Sequence, residues 1–174
     1  KDHLGYQGPF FEWYENGNLK RKYTYKNDCL DGLQEEFFEN GKLQLKCHYA
    51  NQKKEGFFEE WFESGQKAKE VNYKNGLKVG VMTAFYSNGE KMSEAHFDEQ
   101  GKLHGPNRYF EENGQLVFQA TFKNGLKSGL MQEWYKNGNV KRICDYKEGK
   151  KHGKEEFFHE NKIQALKANY IDGL

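Results

Sequence analysis

One 24-residue segment, residues 129–152, reads GLMQEWYKNGNVKRICDYKEGKKH, and copies of it build the chain. The copies open at seven glycines, which are Gly8, Gly32, Gly56, Gly80, Gly105, Gly129 and Gly153. Successive openings lie 24 residues apart, except for one step of 25 residues that ends at Gly105. Glycine at a fixed phase over a constant period is the sequence signature of a repeat architecture.

The seven copies leave no room for a linker or a second domain. Residues 8–174 are therefore predicted to form one repeat domain, and residues 1–7 resemble the tail of an earlier copy. The single inserted residue falls around Gln100 and Gly101. The last copy departs from the others, because Asn161-Lys162 stands where an Asn-Gly pair is expected.

A second glycine in most copies follows an asparagine. The pairs are Asn16-Gly17, Asn40-Gly41, Asn88-Gly89, Asn113-Gly114 and Asn137-Gly138. Asn-Gly is the strongest short signal for a two-residue type I′ hairpin turn, since both central residues need positive φ. A third series, which includes Gly76 and Gly125, is predicted to turn the chain into the next copy, with Asp28 and Gln52 at its first two positions.

The segments between these turns alternate in polarity and are rich in aromatic and β-branched residues, which is typical of strands. The sequence predicts an all-β fold, an elongated single-layer antiparallel meander of about seven 24-residue β-hairpin repeats with about 14 strands. A two-residue turn in the third copy would place Glu60 opposite Lys69 and Phe62 opposite Lys67. The same register places each opening glycine opposite an aromatic ring.

Composition excludes several classes of protein. Aromatic residues make up 16% of the chain, whereas the mean hydropathy is −1.09 and the formal net charge is +1. A disordered chain of this polarity is normally charged and poor in aromatics, so the chain is predicted to fold. No apolar run approaches the ~20 residues of a membrane-spanning helix, and the weak charge argues against nucleic-acid binding. The chain opens at Lys1, so a cytoplasmic and a secreted or surface location both stay open.

The cysteines, histidines and glutamates do not have the spacing that catalysis or metal binding requires. Cys29, Cys47 and Cys144 are odd in number and lack C-x-x-C spacing, so they are interpreted as small hydrophobes. The histidines of one phase recur two copies apart, roughly 19 Å, which is too far for one metal ion. Adjacent glutamates on a strand point to opposite faces. No catalytic residue, cofactor site or metal site is predicted, and the chain is not expected to be an enzyme.

A column of aromatic residues at one phase is the candidate partner-binding site. Its members are Trp13, Phe37, Trp61, Phe85, Phe110 and Trp134, and Phe158 holds the same phase in the last copy. Such a surface can bind an extended peptide, a glycan or the apolar face of a partner. The alternative is that the rings pack on each other and on lysine stems to hold the sheet together. Unpaired strands at the sheet edges offer a route to a homo-oligomer.

Two motifs carry a resemblance to a known family. The segments Gly101-Lys102-Leu103-His104-Gly105 and Gly149-Lys150-Lys151-His152-Gly153 resemble MORN repeats, the membrane occupation and recognition nexus motif. The hairpin segment Glu39-Asn40-Gly41-Lys42-Leu43 is more similar to the bacterial variant, found in chains often labelled as antitoxin components. The resemblance covers residues 5–174. It implies an elongated repeat sheet that associates with proteins or membranes and has no catalysis of its own.

Three functional hypotheses follow. The first is a non-enzymatic repeat scaffold for protein–protein interaction. The second is peripheral association with anionic membrane lipids, which the lysine-rich turns Lys53-Lys54 and Lys150-Lys151 permit and the net charge of +1 disfavours. The third, which depends on the resemblance alone, is an antitoxin-like partner that neutralises a toxin protein.

Overall fold

The structure is a computed structural model that describes residues 5–174, and within this range the chain forms strands and turns but no helix. The predicted all-β class and the antiparallel meander of hairpins are confirmed. The chain forms two compact units, one ending at Gly89 and the other beginning at Glu90. Residues 1–4 of the predicted tail lie outside the described residues, and the single repeat domain over residues 8–174 stays a prediction.

The first unit is an antiparallel meander in which neighbouring strands pair in chain order. Its strands are β1 (Gly8–Trp13), β2 (Leu19–Lys26), β3 (Cys29–Leu30), β4 (Gly32–Phe37), β5 (Leu43–Ala50), β6 (Lys53–Trp61), β7 (Lys67–Lys74) and β8 (Leu77–Phe85). Strands β3 and β4 correspond to one strand of the predicted meander, interrupted at Asp31. This interruption explains why the described residues contain fifteen strands and not the predicted fourteen or so.

The second unit repeats the same arrangement. Its strands are β9 (Lys91–Phe97), β10 (Leu103–Phe110), β11 (Leu116–Lys123), β12 (Leu126–Trp134), β13 (Val140–Lys147), β14 (Lys150–Phe158) and β15 (Gln164–Tyr170). Every pairing within it is antiparallel, from the β9–β10 pair to the β14–β15 pair.

The predicted register of the hairpins is confirmed away from the turn and wrong beside it. Glu60 opposes Lys69 as predicted, but Trp61 opposes Lys67, so the predicted pairing of Phe62 with Lys67 is wrong. The loop has three residues, and the N–H of Phe62 donates to the carbonyl of Gln66 at 2.8 Å. A type I turn followed by a left-handed glycine and a bulge has this geometry, and the bulge restores the register of a two-residue turn.

The asparagine before the second glycine therefore has a different role from the predicted one. Asn40 does not have positive φ, whereas Gly41 has φ of 81°. The Asn40 side chain instead accepts a hydrogen bond from the N–H of Lys42 at 3.0 Å. Asn137 does the same for the N–H of Asn139 at 2.9 Å. These are Asx turns, in which the side-chain oxygen stabilises the loop without a strained backbone.

The true two-residue type I′ turns join one hairpin to the next. Asn75 and Gly76 have φ of 52° and 83° between the paired residues Lys74 and Leu77. Non-glycine residues adopt the same conformation, including Gln52 with φ of 66°. At the inserted residue the two-residue turn becomes a three-residue loop closed by the N–H of Asp98 and the carbonyl of Lys102 at 2.9 Å.

Several opening glycines lie at a bulge, including Gly56, Gly129 and Gly153. Gly56 has φ of 73°, and the pairing of β5 with β6 shifts between Cys47 and Tyr49, opposite this glycine. A Cβ at Gly56 would meet no atom within 4 Å, so the backbone conformation and not lack of space requires glycine. The predicted aromatic partners of the opening glycines are confirmed within each unit: Tyr25, Tyr49, Tyr73, Phe122, Tyr146 and Tyr170.

Each unit has a small core on one face of its sheet. In the first unit Cys47, Phe58 and Val71 are 3–4% exposed and contact each other. In the second, Ala120, Met131 and Cys144 are at most 1% exposed. Two of the three cysteines are thus buried, as interpreted from the sequence, while Cys29 is half-buried. Each core is a row across neighbouring strands, covered by the rings and long side chains beside it.

Candidate functional site

Strand alternation gives each unit two chemically different faces. The tyrosine face carries the small core and the aromatic partners of the opening glycines, such as Tyr73 and Tyr146. The tryptophan face carries the predicted aromatic column, with Trp13, Phe37, Trp61 and Phe85 in the first unit and Phe110 and Trp134 in the second.

The tyrosine face is closed by lysine side chains that lie over its rings. The ammonium of Lys54 lies 4.0 Å from the ring centre of Phe58 and 5.2 Å from that of Tyr73. In the second unit Lys127 lies 4.9 Å from the ring centre of Tyr146. Such cation–π contacts cover the core rings with a hydrated charge, so these rings are shielded from a partner.

A buried carboxylate extends the core row of the second unit. Glu155 is 2% exposed, and it accepts hydrogen bonds from Arg142 at 2.6 Å and Lys151 at 2.7 Å. Burial raises the pKa of Glu155, but the hydrogen bonds from Lys151 and Arg142 outweigh burial and hold the pKa below its usual value. The cluster is satisfied internally and stabilises the hairpin pair.

The tryptophan face leaves its aromatic column partly open to solvent. Trp13 is 58% exposed and stacks on Phe11 of its own strand at 5.9 Å, while the other predicted members are half-buried. The rings alternate along each strand with charged side chains. Glu35, for example, lies within 3.3 Å of Lys22 and 3.5 Å of Lys46.

The strongest charge cluster of this face lies in the second unit. Glu94 accepts hydrogen bonds from Lys91 at 2.5 Å and from Arg108 at 2.9 Å. The hydrogen bond from Lys91 is the main reason that the pKa of Glu94 falls to about 2. This carboxylate therefore stays charged at all physiological pH values and pairs with its neighbours.

A polar hollow of ≈ 350 Å³ lies on the first unit between the exposed side chains of Phe57 and Val81. Glu59 and Glu70 oppose each other across its floor. Like charges directly opposite are unfavourable, and Lys67 compensates by bonding both carboxylates, at 2.7 Å and 2.9 Å.

An apolar groove of ≈ 380 Å³ lies between the last two hairpins of the second unit. Val140, Ile143 and Phe158 form its walls, with Asn139 and Lys162 at the loop end. Two inter-loop hydrogen bonds hold the hairpins that frame it. The Tyr135 hydroxyl donates to the Phe158 carbonyl at 2.9 Å, and the Asn139 side chain donates to the Glu160 carbonyl at 2.8 Å.

The sequence identified only part of this groove. Phe158 has the phase of the aromatic column, so the period points to it. Val140, Ile143 and Lys162 were not identified as site residues. The available signal was local, because Ile143 and Lys162 depart from the residues at the same phase of the other copies.

The structure places no metal-ligand cluster in the part of the chain that it describes, where no three His, Cys, Asp or Glu side chains lie close enough to hold an ion. Burial raises the pKa of the Cys47 thiol to about 11, so this thiol is uncharged at neutral pH. None of the described elements is a helix with the length and apolar character that crossing a bilayer demands.

Comparison with known proteins identifies the repeat. The family model described as MORN repeat variant matches residues 6–27, 30–51, 54–75, 78–99, 103–124 and 127–148. No curated protein matches the sequence. Among solved structures, the crystal structure of a point mutant of S. aureus TarM in complex with fondaparinux, α-GlcNAc-glycerol and UDP aligns at 9% identity with a TM-score of 0.36. That alignment covers 70% of this chain and 21% of the other.

Proposed function

The chain belongs to the MORN repeat variant family, and from this premise we propose that it is a non-enzymatic scaffold that binds another protein through its tryptophan faces. MORN repeats generally serve as modules for protein or membrane interaction. The observation that carries the proposal is the difference between the faces, since the column rings are partly open and the core rings of the tyrosine face lie under lysine side chains.

Physical chemistry favours aromatic rings at the centre of a binding surface. Trp and Tyr are enriched among the residues that dominate binding energy, because a large ring buries much apolar area with few rotatable bonds. Column members of successive hairpins lie two strands apart, roughly 10 Å. A segment lying across several hairpins could therefore contact several rings, each adding to the affinity.

The test is a capture experiment with purified chain as bait and three single substitutions. Trp61→Ala and Trp134→Ala each remove one column ring, and Tyr109→Ala removes a ring of the tyrosine face that is 48% exposed. We expect both tryptophan variants to lose partners that wild type and the Tyr109 variant retain. Equal capture of every partner by all four proteins would exclude the column as the binding site. Circular dichroism confirms that each variant is folded.

A second candidate is peripheral association with anionic lipids, and lysines at the turns between hairpins favour it. The stem of Lys53 lies 3.7 Å from the Cβ position of Gly76 in the first unit, and that of Lys150 lies 3.8 Å from that of Gly173 in the second. Co-sedimentation with phosphatidylserine vesicles at low salt tests the idea. The net charge of +1 predicts weak binding at most, and no binding would remove this candidate.

Two further proposals concern the partner. The antitoxin-like role depends on resemblance, and it predicts that co-expression rescues cells from a toxin encoded beside this chain. Self-association through the sheet edges requires pairing by β1 or β15, which carry exposed apolar side chains such as Phe11 and Leu166. Analytical ultracentrifugation over a range of concentrations tests that association directly.

A further inference from the structure

The groove between the last two hairpins differs from the corresponding position of every earlier hairpin pair. Ile143 stands at a phase that is otherwise charged or polar. The residues at this phase are Lys22, Lys46, Glu70, Glu94, Gln119 and, after it, Lys167. Together with Val140 and Phe158, Ile143 makes a continuous apolar wall. On the tryptophan face of this hairpin pair, the wall places two aliphatic side chains beside the ring of Phe158.

Lys162 is the second departure, at the rim of the same groove. Its φ is 70°, and the three-residue loops of the other hairpins place a glycine at this position, such as Gly138 with φ of 84°. A lysine in this left-handed conformation is strained relative to glycine, which has no Cβ. The loop still closes as in the other copies, because the N–H of Lys162 donates to the carbonyl of His159 at 2.9 Å. A strained residue at the rim of a groove points to a role for its side chain.

The charge of Lys162 is uncompensated among the described residues. Its side chain is exposed, and no carboxylate of the described chain lies within 4 Å of its ammonium. Glu156, which opposes Ile143 across the strand pair, lies 3.4 Å from Lys167 and is paired there. The rim therefore presents a free cation beside an apolar wall.

We propose that this groove binds an extended segment of a partner protein in which an apolar side chain stands next to a carboxylate. The apolar side chain lies against Val140, Ile143 and Phe158, and the carboxylate pairs with Lys162. The inference names the chemistry of one site on the scaffold and rests on the proposed function. Burial of the apolar side chain provides the affinity. The ion pair with Lys162 provides specificity for a segment in which the adjacent residue is acidic.

The size of the groove favours a peptide over a fatty acid. A volume of ≈ 380 Å³ lies near the lower end of the range of small-ligand pockets, about 300–1,000 Å³. Three side chains can cover one apolar side chain of a partner. A fatty acyl chain would leave most of its methylene groups in water, where they do not gain the free energy that burial provides.

The test is an array of octapeptides with Gly-Ser flanks, whose central pair joins Leu, Ile, Phe, Trp or Ala to Asp, Glu, Asn or Lys. We expect wild type to bind the pairs of a large apolar residue with Asp or Glu about tenfold more tightly than the matched Asn and Lys peptides. Lys162→Glu should reverse this preference toward Lys peptides. Ile143→Lys restores the residue type of other hairpins and should abolish binding of all of them.

A matched control is Lys154→Glu, the same charge change at an exposed lysine of β14 outside the groove, which should bind like wild type. Lys162→Glu lies on an exposed loop, so it tests the inference even if Ile143→Lys unfolds. If peptide binding is unchanged in Lys162→Glu and Ile143→Lys but falls in Trp61→Ala, this inference is overturned and the scaffold proposal stands. Binding of dodecanoate in place of the peptides would overturn it in favour of a lipid. If wild type binds no peptide of the array but captures a partner protein, the inference is also overturned. If wild type captures no partner protein at all, the scaffold proposal itself is refuted.

Discussion

Met131 and Glu155 hold the same position in consecutive hairpins, 24 residues apart, and they are buried to the same degree, at 1% and 2% exposed. Met131 contacts Ala120 and Cys144 in an apolar cluster. Glu155 lies in an ionic cluster, where it accepts hydrogen bonds from Arg142 and Lys151. One buried position of the repeat can therefore hold an apolar or a charged side chain, provided that neighbouring strands supply partners for the charge.

The backbone explains why burial is equal. Both residues lie two positions after an opening glycine, and each opposes the second strand of its hairpin, Met131 at Cys144 and Glu155 at Ala168. A buried carboxylate without partners would be costly, and Arg142 from the preceding hairpin prevents that cost. The substitutions below test the apolar cluster of Met131 and the ionic cluster of Glu155 separately.

The largest effect is expected for Arg142→Ala, which removes the cationic partner that the preceding hairpin supplies to the buried carboxylate of Glu155. Breaking a buried ion pair by removing one partner costs about 3–5 kcal/mol, and the loss of the Arg142 contact with the Phe157 ring adds to it. Urea titration measures the free energy of unfolding. Adding Glu155→Met to this variant should regain part of the loss, and a purely additive double variant would show that the two groups are not coupled.

Met131→Ala should cost about 2–4 kcal/mol, because it removes apolar contacts and leaves a cavity beside Cys144. The matched control is Leu130→Ala, one residue earlier on the opposite face, where the side chain is 44% exposed. The control should lose less than about 1 kcal/mol. Similar losses in both variants would mean that the tyrosine face is not the face that stabilises the hairpins.

The pH dependence of the free energy of unfolding below neutrality should distinguish the ionic cluster of Glu155 from the apolar cluster of Met131. The folded-state pKa values of Glu94, at about 2, and of Glu155 lie below the usual value of 4.5. Both groups therefore stabilise the fold above pH 4.5, and their contribution is lost as pH falls through the folded pKa. We expect a loss of about 1–3 kcal/mol on acidification, by urea titration at each pH. Glu94→Gln and Glu155→Met should each reduce the loss of stability on acidification. A loss as large as that of wild type in both variants would contradict the lowered pKa values of these two groups.

The smallest effect concerns the loops of the same two hairpins. Gly138 and Lys162 share a left-handed conformation, and only lysine is strained by it. Lys162→Gly should therefore raise the free energy of unfolding by about 0.5–1 kcal/mol, because the entropy that glycine loses on folding offsets part of the relieved strain. Gly138→Lys makes the reverse change and should lower it by a similar amount. A destabilised Lys162→Gly variant would show that the lysine side chain supports the loop.

Sequence reasoning predicted the period, the class and most pairings, because each copy repeats the same alternation and the same turn positions. It assigned the type I′ turn to the wrong Asn-Gly pairs. Asn40-Gly41 and Asn75-Gly76 read alike, yet Asn40 forms an Asx turn and Asn75 adopts positive φ. The dipeptide is compatible with both loops, and strand pairing around it decides between them.

For the candidate site, the sequence placed the aromatic column on one face but could not rank its members. The exposure of Trp13 and the groove beside Phe158 depend on which side chains of neighbouring hairpins lie alongside. The binding role of the column stays a prediction that the capture experiment tests.

A two-residue alternation and a 24-residue period are properties of the chain, so a repeated antiparallel hairpin with two chemically distinct faces follows from the sequence. Tertiary structure alone decided how the loops close, which carboxylate is buried with partners, and where an apolar groove opens beside an unpaired lysine. These features arise between hairpins, where residues 20 or so positions apart meet, and their contacts depend on distances that only the folded sheet sets.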